Sequence, residues 1–164
     1  MWFRNPAMNE QKRVAFYANV SRDGTPIEHQ LRELESVATL KGWQIVGQFV
    51  DSEIRSANEF RPGFDGLCHA MERQQCDMVA AWSVDCLGRS LEDILVFLNE
   101  LHSEHTGLYL QQQHLDTTAA VPAPRRLVQV LAIAAEFERS RITECLRAGL
   151  ERAKYWAGRN SVGR

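Results

Sequence analysis

Short apolar runs alternate with longer amphipathic stretches along this chain, and their spacing predicts strands separated by helices. Residues 13–20 (Arg13-Val14-Ala15-Phe16-Tyr17-Ala18-Asn19-Val20) form a mostly apolar run of strand length. Pro26 stands where a helix can open, because proline is tolerated at a first helical position. Ile27, Leu31, Leu34 and Ala38 then make one stripe of an amphipathic helix that should stop at Gly42. The pattern continues with a strand at Trp43 to Val50, a polar loop, a helix from Pro62 to about Gln74, and a strand at Asp77 to Ser83. Leu91, Ile94, Leu95, Leu98 and Leu101 give the next helical stripe, and Gly107 to Gln111 a further strand. Strands joined through helices imply an α/β fold with a mainly parallel central sheet flanked by helices.

The last helix should protrude. Pro124 is a start, and no glycine or proline interrupts until Gly149, with the pattern able to run to about Trp156. Such a rod is ~45 Å long at about 1.5 Å per residue, against a globule about 40 Å across. Its first half is apolar nearly all round, so Leu127, Val130, Leu131, Ala134 and Phe137 are expected at a contact with another subunit. The alternative is a break near Gly149 into two ordinary helices. The expected organisation is an extension at 1–12, an α/β domain at 13–123, the long helix at 124–157 and a basic hinge at 158–164.

Charge sharpens the picture of that helix. The chain of 164 residues has a net charge of −2, yet Arg139 to Arg164 holds seven basic residues against Glu144 and Glu151, a local +5 that leaves −7 on the remainder. A basic arm on an acidic body is the distribution expected when one arm meets a polyanion; a solvated arginine-rich face is the alternative. Apolar runs are too short to span a bilayer, and Met1-Trp2-Phe3-Arg4 does not open a signal peptide, so no membrane partner and a cytoplasmic setting are expected. Cys68, Cys76, Cys86 and Cys145 are spaced too widely for a metal knuckle and are read as reduced thiols. His102 and His105 share a helix face without an obvious carboxylate or thiolate partner, so no metal or cofactor is expected.

Several spaced motifs carry the chemistry. Tyr17-Ala18-Asn19-Val20-Ser21 closes the first apolar run, and Gln30 lies nine residues past the serine. Phe60-Arg61-Pro62-Gly63-Phe64 opens a helix, Asp85-Cys86-Leu87-Gly88-Arg89-Ser90 follows another apolar run, and Ala135-Glu136-Phe137-Glu138-Arg139 sits late. Together, from about Val14 to Arg164, they resemble the catalytic domain of serine site-specific DNA recombinases, the resolvase/invertase family of bacteria and phages. A flavodoxin-like binding domain is disfavoured, since Ser21-Arg22-Asp23-Gly24-Thr25 has one glycine where a phosphate loop needs several.

The resemblance implies a nucleophilic Ser21 that forms a covalent bond to a 5′ phosphate and frees a 3′ hydroxyl. It implies Arg61 and Arg89 clamping the phosphate, Asp85 near the leaving oxygen or orienting the arginines, and Gln30 supporting the serine loop. Glu138 and Arg139 would join subunit and DNA contacts, and Arg141, Arg147, Arg152, Arg159 and Arg164 would extend the phosphate track on double-stranded DNA. The assembly implied is a homodimer that pairs into a tetramer in synapsis. Guanidiniums suit this reaction because they stay charged and offer forked donors to phosphate oxygens, with no metal needed.

Two positions depart from the family's pattern. Asn19 and Cys86 stand where it usually has arginine, and Arg55-Ser56-Ala57 replaces a Ser-Gly stretch. An amide and a thiol bring no fixed charge, so impaired strand cleavage is expected. The alternative is an inactive DNA-associating or oligomerising regulator derived from the same fold. Family members continue past a Gly-Arg-rich hinge into a helix-turn-helix reader, which is expected to be absent past Gly163-Arg164.

Overall fold

The structure is a computed structural model that describes residues 11–20, 24–52, 61–118 and 123–160, with side chains of the last segment described over 131–158. Five strands form one sheet: β1 (Arg13–Asn19), β2 (Gln44–Asp51), β3 (Met78–Ala81), β4 (Gly107–Leu110) and β5 (Leu115–Asp116). Their order is β2-β1-β3-β4-β5. The first four are parallel, and β5 returns antiparallel to β4. Four helices accompany them: α1 (Ile27–Lys41), α2 (Pro62–Glu72), α3 (Leu91–Ser103) and α4 (Ala123–Asn160).

Alternation along β1 assigns its side chains to two layers. Val14 and Phe16 pack with Leu34 and Ala38 of α1, together with Met78, Ala80 and Tyr109. Ala15 and Tyr17 face the other layer, where Leu67 and Met71 of α2, Ile94 and Phe97 of α3, and Ile133 and Phe137 of α4 close the larger core. Met78 to Ala81 are buried throughout, as expected for a central parallel strand covered on both faces.

Most predicted elements stand within a few residues of their expected bounds. The predicted stop of α1 is real: Gly42 adopts φ 66, a left-handed conformation that closes a helix at little cost only for glycine. Gly63 has a different reason to be glycine, since a Cβ there would lie 2.7 Å from the backbone oxygen of Val50. The first turn of α2 thus presses directly on β2. The strand β5 was not predicted, because two residues carry no readable period.

The last helix is longer than expected, running unbroken through Gly149 to Asn160, so residues 158–160 of the anticipated hinge are helical. At about 1.5 Å per residue it spans ~57 Å. One subunit-contact expectation needs correcting. Phe137 is fully buried in its own domain's core beside Ile133, because the helix lies against α3 and the turn after β3 at that level. Leu131 is 59% exposed, and every residue from 141 to 158 is exposed. The side chains of Leu127 and Val130 lie outside the described residues.

Candidate active site

The carboxyl end of β1 gathers four of the residues singled out in the sequence, Asn19, Gln30, Arg61 and Cys86. Odd-numbered positions of β1 face the α2–α3–α4 layer, which carries Tyr17 and Asn19 to the same side. Ser21 and Arg22 lie outside the described residues, as do Arg55, Ser56, Ala57 and Arg164.

Gln30, on the first turns of α1, is fully buried, and its amide donates to the carbonyls of Asn19 at 2.8 Å and Thr25 at 3.0 Å. It therefore ties together the two ends of the segment that contains Ser21. Its Oε1 accepts from the Cys86 thiol, with the sulfur 3.9 Å away. The Cys86 sulfur also lies 3.6 Å from the Ser83 hydroxyl.

Asn19 and Cys86 meet directly. The Asn19 amide nitrogen donates to the Cys86 carbonyl at 2.9 Å, while Asn19 Oδ1 is buried without a hydrogen-bond partner among the described residues. A second donor reaches the same carbonyl, Arg61 Nη2, also at 2.9 Å. Val84–Cys86 is a short 3-10 turn between β3 and α3, so its carbonyls point out of regular structure and accept from side chains. Asp85, half-buried, sits in this turn.

Arg61 is the most connected of the predicted residues. Its Nε and Nη2 donate to the Tyr17 hydroxyl at 3.3 and 2.8 Å, and its Nη1 to the Leu87 carbonyl at 3.2 Å. The guanidinium carbon lies over Phe64, 4.0 Å from the ring centre, a cation–π contact. Tyr17 in turn donates to Asp51 Oδ2 at 2.8 Å. Asp51, at the end of β2, also accepts the backbone N–H of Gly63 and Phe64 at 2.8 and 3.0 Å, a carboxylate set against the positive end of α2. Burial pushes the Tyr17 phenol well above its ordinary range; the Arg61 cation opposes this and Asp51 adds to it. Tyr17 is therefore a neutral phenol that donates to the carboxylate and accepts from the cation. Sequence reading missed Tyr17 and Asp51; the only signal was a polar tip on a buried strand residue and an acid closing the next strand.

Arg89 follows the 84–87 turn, immediately before the N-cap of α3. It is exposed at the start of α3, and its backbone N–H donates to Asp93, which forms a capping box with Ser90. On α4, Glu138 pairs with Arg141 and Glu136 with Arg139, each at 3.7 Å, and these exposed pairs contribute little stability. Arg147 and Arg152 are exposed further along, and the Arg159 side chain lies outside the described residues. His102 and His105 are exposed at the end of α3. Among the described residues, no helix is long and apolar enough to cross a membrane.

A mostly parallel α/β domain, with polar side chains gathered beyond its first strand and one outlying helix, is the architecture of serine recombinase catalytic domains. The chain belongs to the resolvase family: the model described as "Resolvase, N terminal domain" matches residues 14–157. It is 31% identical over 144 residues to the transposon Tn2501 resolvase of Escherichia coli, covering 87% of this chain and 71% of that one. The serine recombinase PinR of Escherichia coli K12 is 29% identical over 145 residues, covering 87% and 70%. Among solved structures, the N-terminal catalytic domain of TP901-1 integrase superposes with a TM-score of 0.64 at 26% identity, over 81% of this chain and 99% of that one. A resolvase-family recombinase from Streptococcus pneumoniae shares the fold, with a TM-score of 0.62 at 20% identity over 88% and 99%.

Proposed function

We propose that this domain acts on double-stranded DNA as a serine-type strand transferase of lowered catalytic power. In the step proposed, the Ser21 hydroxyl attacks a backbone phosphorus, its proton passes to a base or solvent, and the bond from phosphorus to the 3′ oxygen breaks. The products are a 5′ phosphoserine and a free 3′ hydroxyl, and the reverse attack by a 3′ hydroxyl rejoins the strand. Arg61 and Arg89 supply positive charge, Asp85 acts near the leaving oxygen or orients the arginines, and Gln30 supports the serine loop. The observation that carries the reading is the convergence of Asn19, Gln30, Arg61 and Cys86 on the segments flanking residue 21.

Assembly follows from α4 in the same reading. Ile142, Leu146 and Leu150 recur every four residues and are about 60% exposed, a stripe suited to a homodimer that pairs into a tetramer around DNA. Arg139, Arg141, Arg147 and Arg152 then face phosphates.

The neutral contact between Asn19 and Cys86 favours a second reading, in which the domain keeps fold and helix for DNA association or oligomerisation and no longer cuts. One experiment separates the two. Wild-type protein is incubated with a pool of nicked random-sequence duplexes and the protein–DNA adducts are mapped by mass spectrometry. Adducts at Ser21, absent from Ser21→Ala, are expected of a strand transferase; DNA retention without any adduct selects the regulator.

A further inference from the structure

Arginine offers five N–H donors, and in Arg61 four of them are already used: two on the Tyr17 hydroxyl, one on the Cys86 carbonyl and one on the Leu87 carbonyl. We infer that Asp51 and Tyr17 are positioning residues that hold Arg61 as a strut for the 84–87 turn, leaving one Nη1 N–H for an incoming phosphate.

Three observations support the strut. Each link is short and the chain is continuous, from the α2 backbone through the Asp51 carboxylate, the Tyr17 hydroxyl and the guanidinium to the turn. Tyr17 is fully buried, so solvent does not reach its hydroxyl to take its place as acceptor. The Phe64 ring, 4.0 Å from the guanidinium carbon and itself packed edge-on against Tyr17 at 5.4 Å, covers one side of the guanidinium and restricts its movement. Hydrogen bonds with a charged donor are stronger than neutral ones, and removing one partner leaves the other unsatisfied. Releasing Arg61 to clamp a phosphate with two donors would therefore strip carbonyls of the very turn that bears Asp85.

The Asn19–Cys86 contact gives the strut its second anchor. Because Cys86 O takes one bond from Arg61 and one from Asn19, both lone-pair directions of that carbonyl are filled by protein. Neither position 19 nor position 86 brings a cation that would compete with Arg61 for the turn or replace it at a phosphate.

The inference concerns the free protein, so its fate is separate from that of the strand-transfer reading: it stands or falls without any cleavage event. The test follows the Arg61 Nε–H resonance, identified by its loss in Arg61→Lys, in the free protein and during titration with a nicked DNA duplex. A strut predicts slow exchange of that proton with solvent, protection retained in the DNA complex, and exchange faster by about tenfold or more in Tyr17→Phe and in Asp51→Asn. Backbone amide spectra of both variants verify that the fold persists. Fast exchange in wild type, loss of Nε–H protection on adding DNA, or unchanged exchange in a folded Tyr17→Phe each overturns the inference. The wild-type arm decides the question even if both variants unfold.

Discussion

The side-chain amide of Asn19 donates to the main-chain carbonyl of Cys86 at 2.9 Å. The two positions at which the motif resemblance leads one to expect arginine are thus neighbours in space although 67 residues apart in sequence. They form one local arrangement, sharing Gln30 as a common partner, and substitutions there should act together.

Restoring charge at both positions is the direct test. Asn19→Arg with Cys86→Arg should raise the yield of Ser21-linked DNA by about 10²-fold or more, the scale of one transition-state donor. Either substitution alone should give less than its share, since residues acting as a unit are not additive. Gel quantification of adducts checks this, and an unchanged double variant would move the defect elsewhere.

The Tyr17 phenol sets a stability limit at high pH. Its folded pKa is raised, by burial above all, so from about pH 10 upward the unfolded chain loses a proton that the folded chain retains, and stability falls as pH rises. Tyr109 is raised in the same direction, again by burial first. Denaturant midpoints measured between pH 8 and 11 should slope downward, and Tyr17→Phe should flatten the slope in part, leaving the Tyr109 share.

Gly63 tests the pressure of α2 on β2. A Cβ there would meet the Val50 backbone at 2.7–2.9 Å, and backbone cannot yield as a flexible side chain can. Gly63→Ala should cost about 1–3 kcal/mol by urea unfolding. It should also disturb the Asp51 bonds to the α2 amides, visible as shifts of the Gly63 and Phe64 resonances.

Thiol reactivity should rank by exposure and local charge. Cys145 is exposed, Cys76 and Cys86 are buried, and the Cys68 thiol is pushed up to about 12 by burial and by the neighbouring Glu100 and Asp65 carboxylates. Maleimide at neutral pH should label Cys145 first, with Cys68 much slower because its thiolate is scarce. Peptide mapping over time checks the order, and equal rates at the two sites would contradict it.

What was legible in the sequence was mostly periodic or local. The stripe of Ile27, Leu31, Leu34 and Ala38 and the stop at Gly42 both follow from chain geometry, and α1 formed accordingly. Gln30, Arg61 and Asp85 were identifiable because spaced motifs carried them. The Asp51–Tyr17–Arg61 relay was not, since it joins three elements and no spacing encodes a contact across a sheet. Phe137 misled for a related reason. On a helix apolar nearly all round, periodicity cannot say which apolar residues meet the parent core and which face outward, and packing against α3 and the turn after β3 decided it.

Beyond residue 140 the rod of α4 touches none of its own domain's core, and it contains Gly149 and Gly158, each weakening a helix by about 1 kcal/mol relative to alanine. Without tertiary cover a segment interrupted by two glycines holds its helix only in part, because nucleation is costly and packing normally supplies most of a helix's stability. The ellipticity of this arm is therefore coupled to occupancy of its surface. Circular dichroism followed across protein dilution becomes a thermometer of association, reading assembly through the coil content of a single segment.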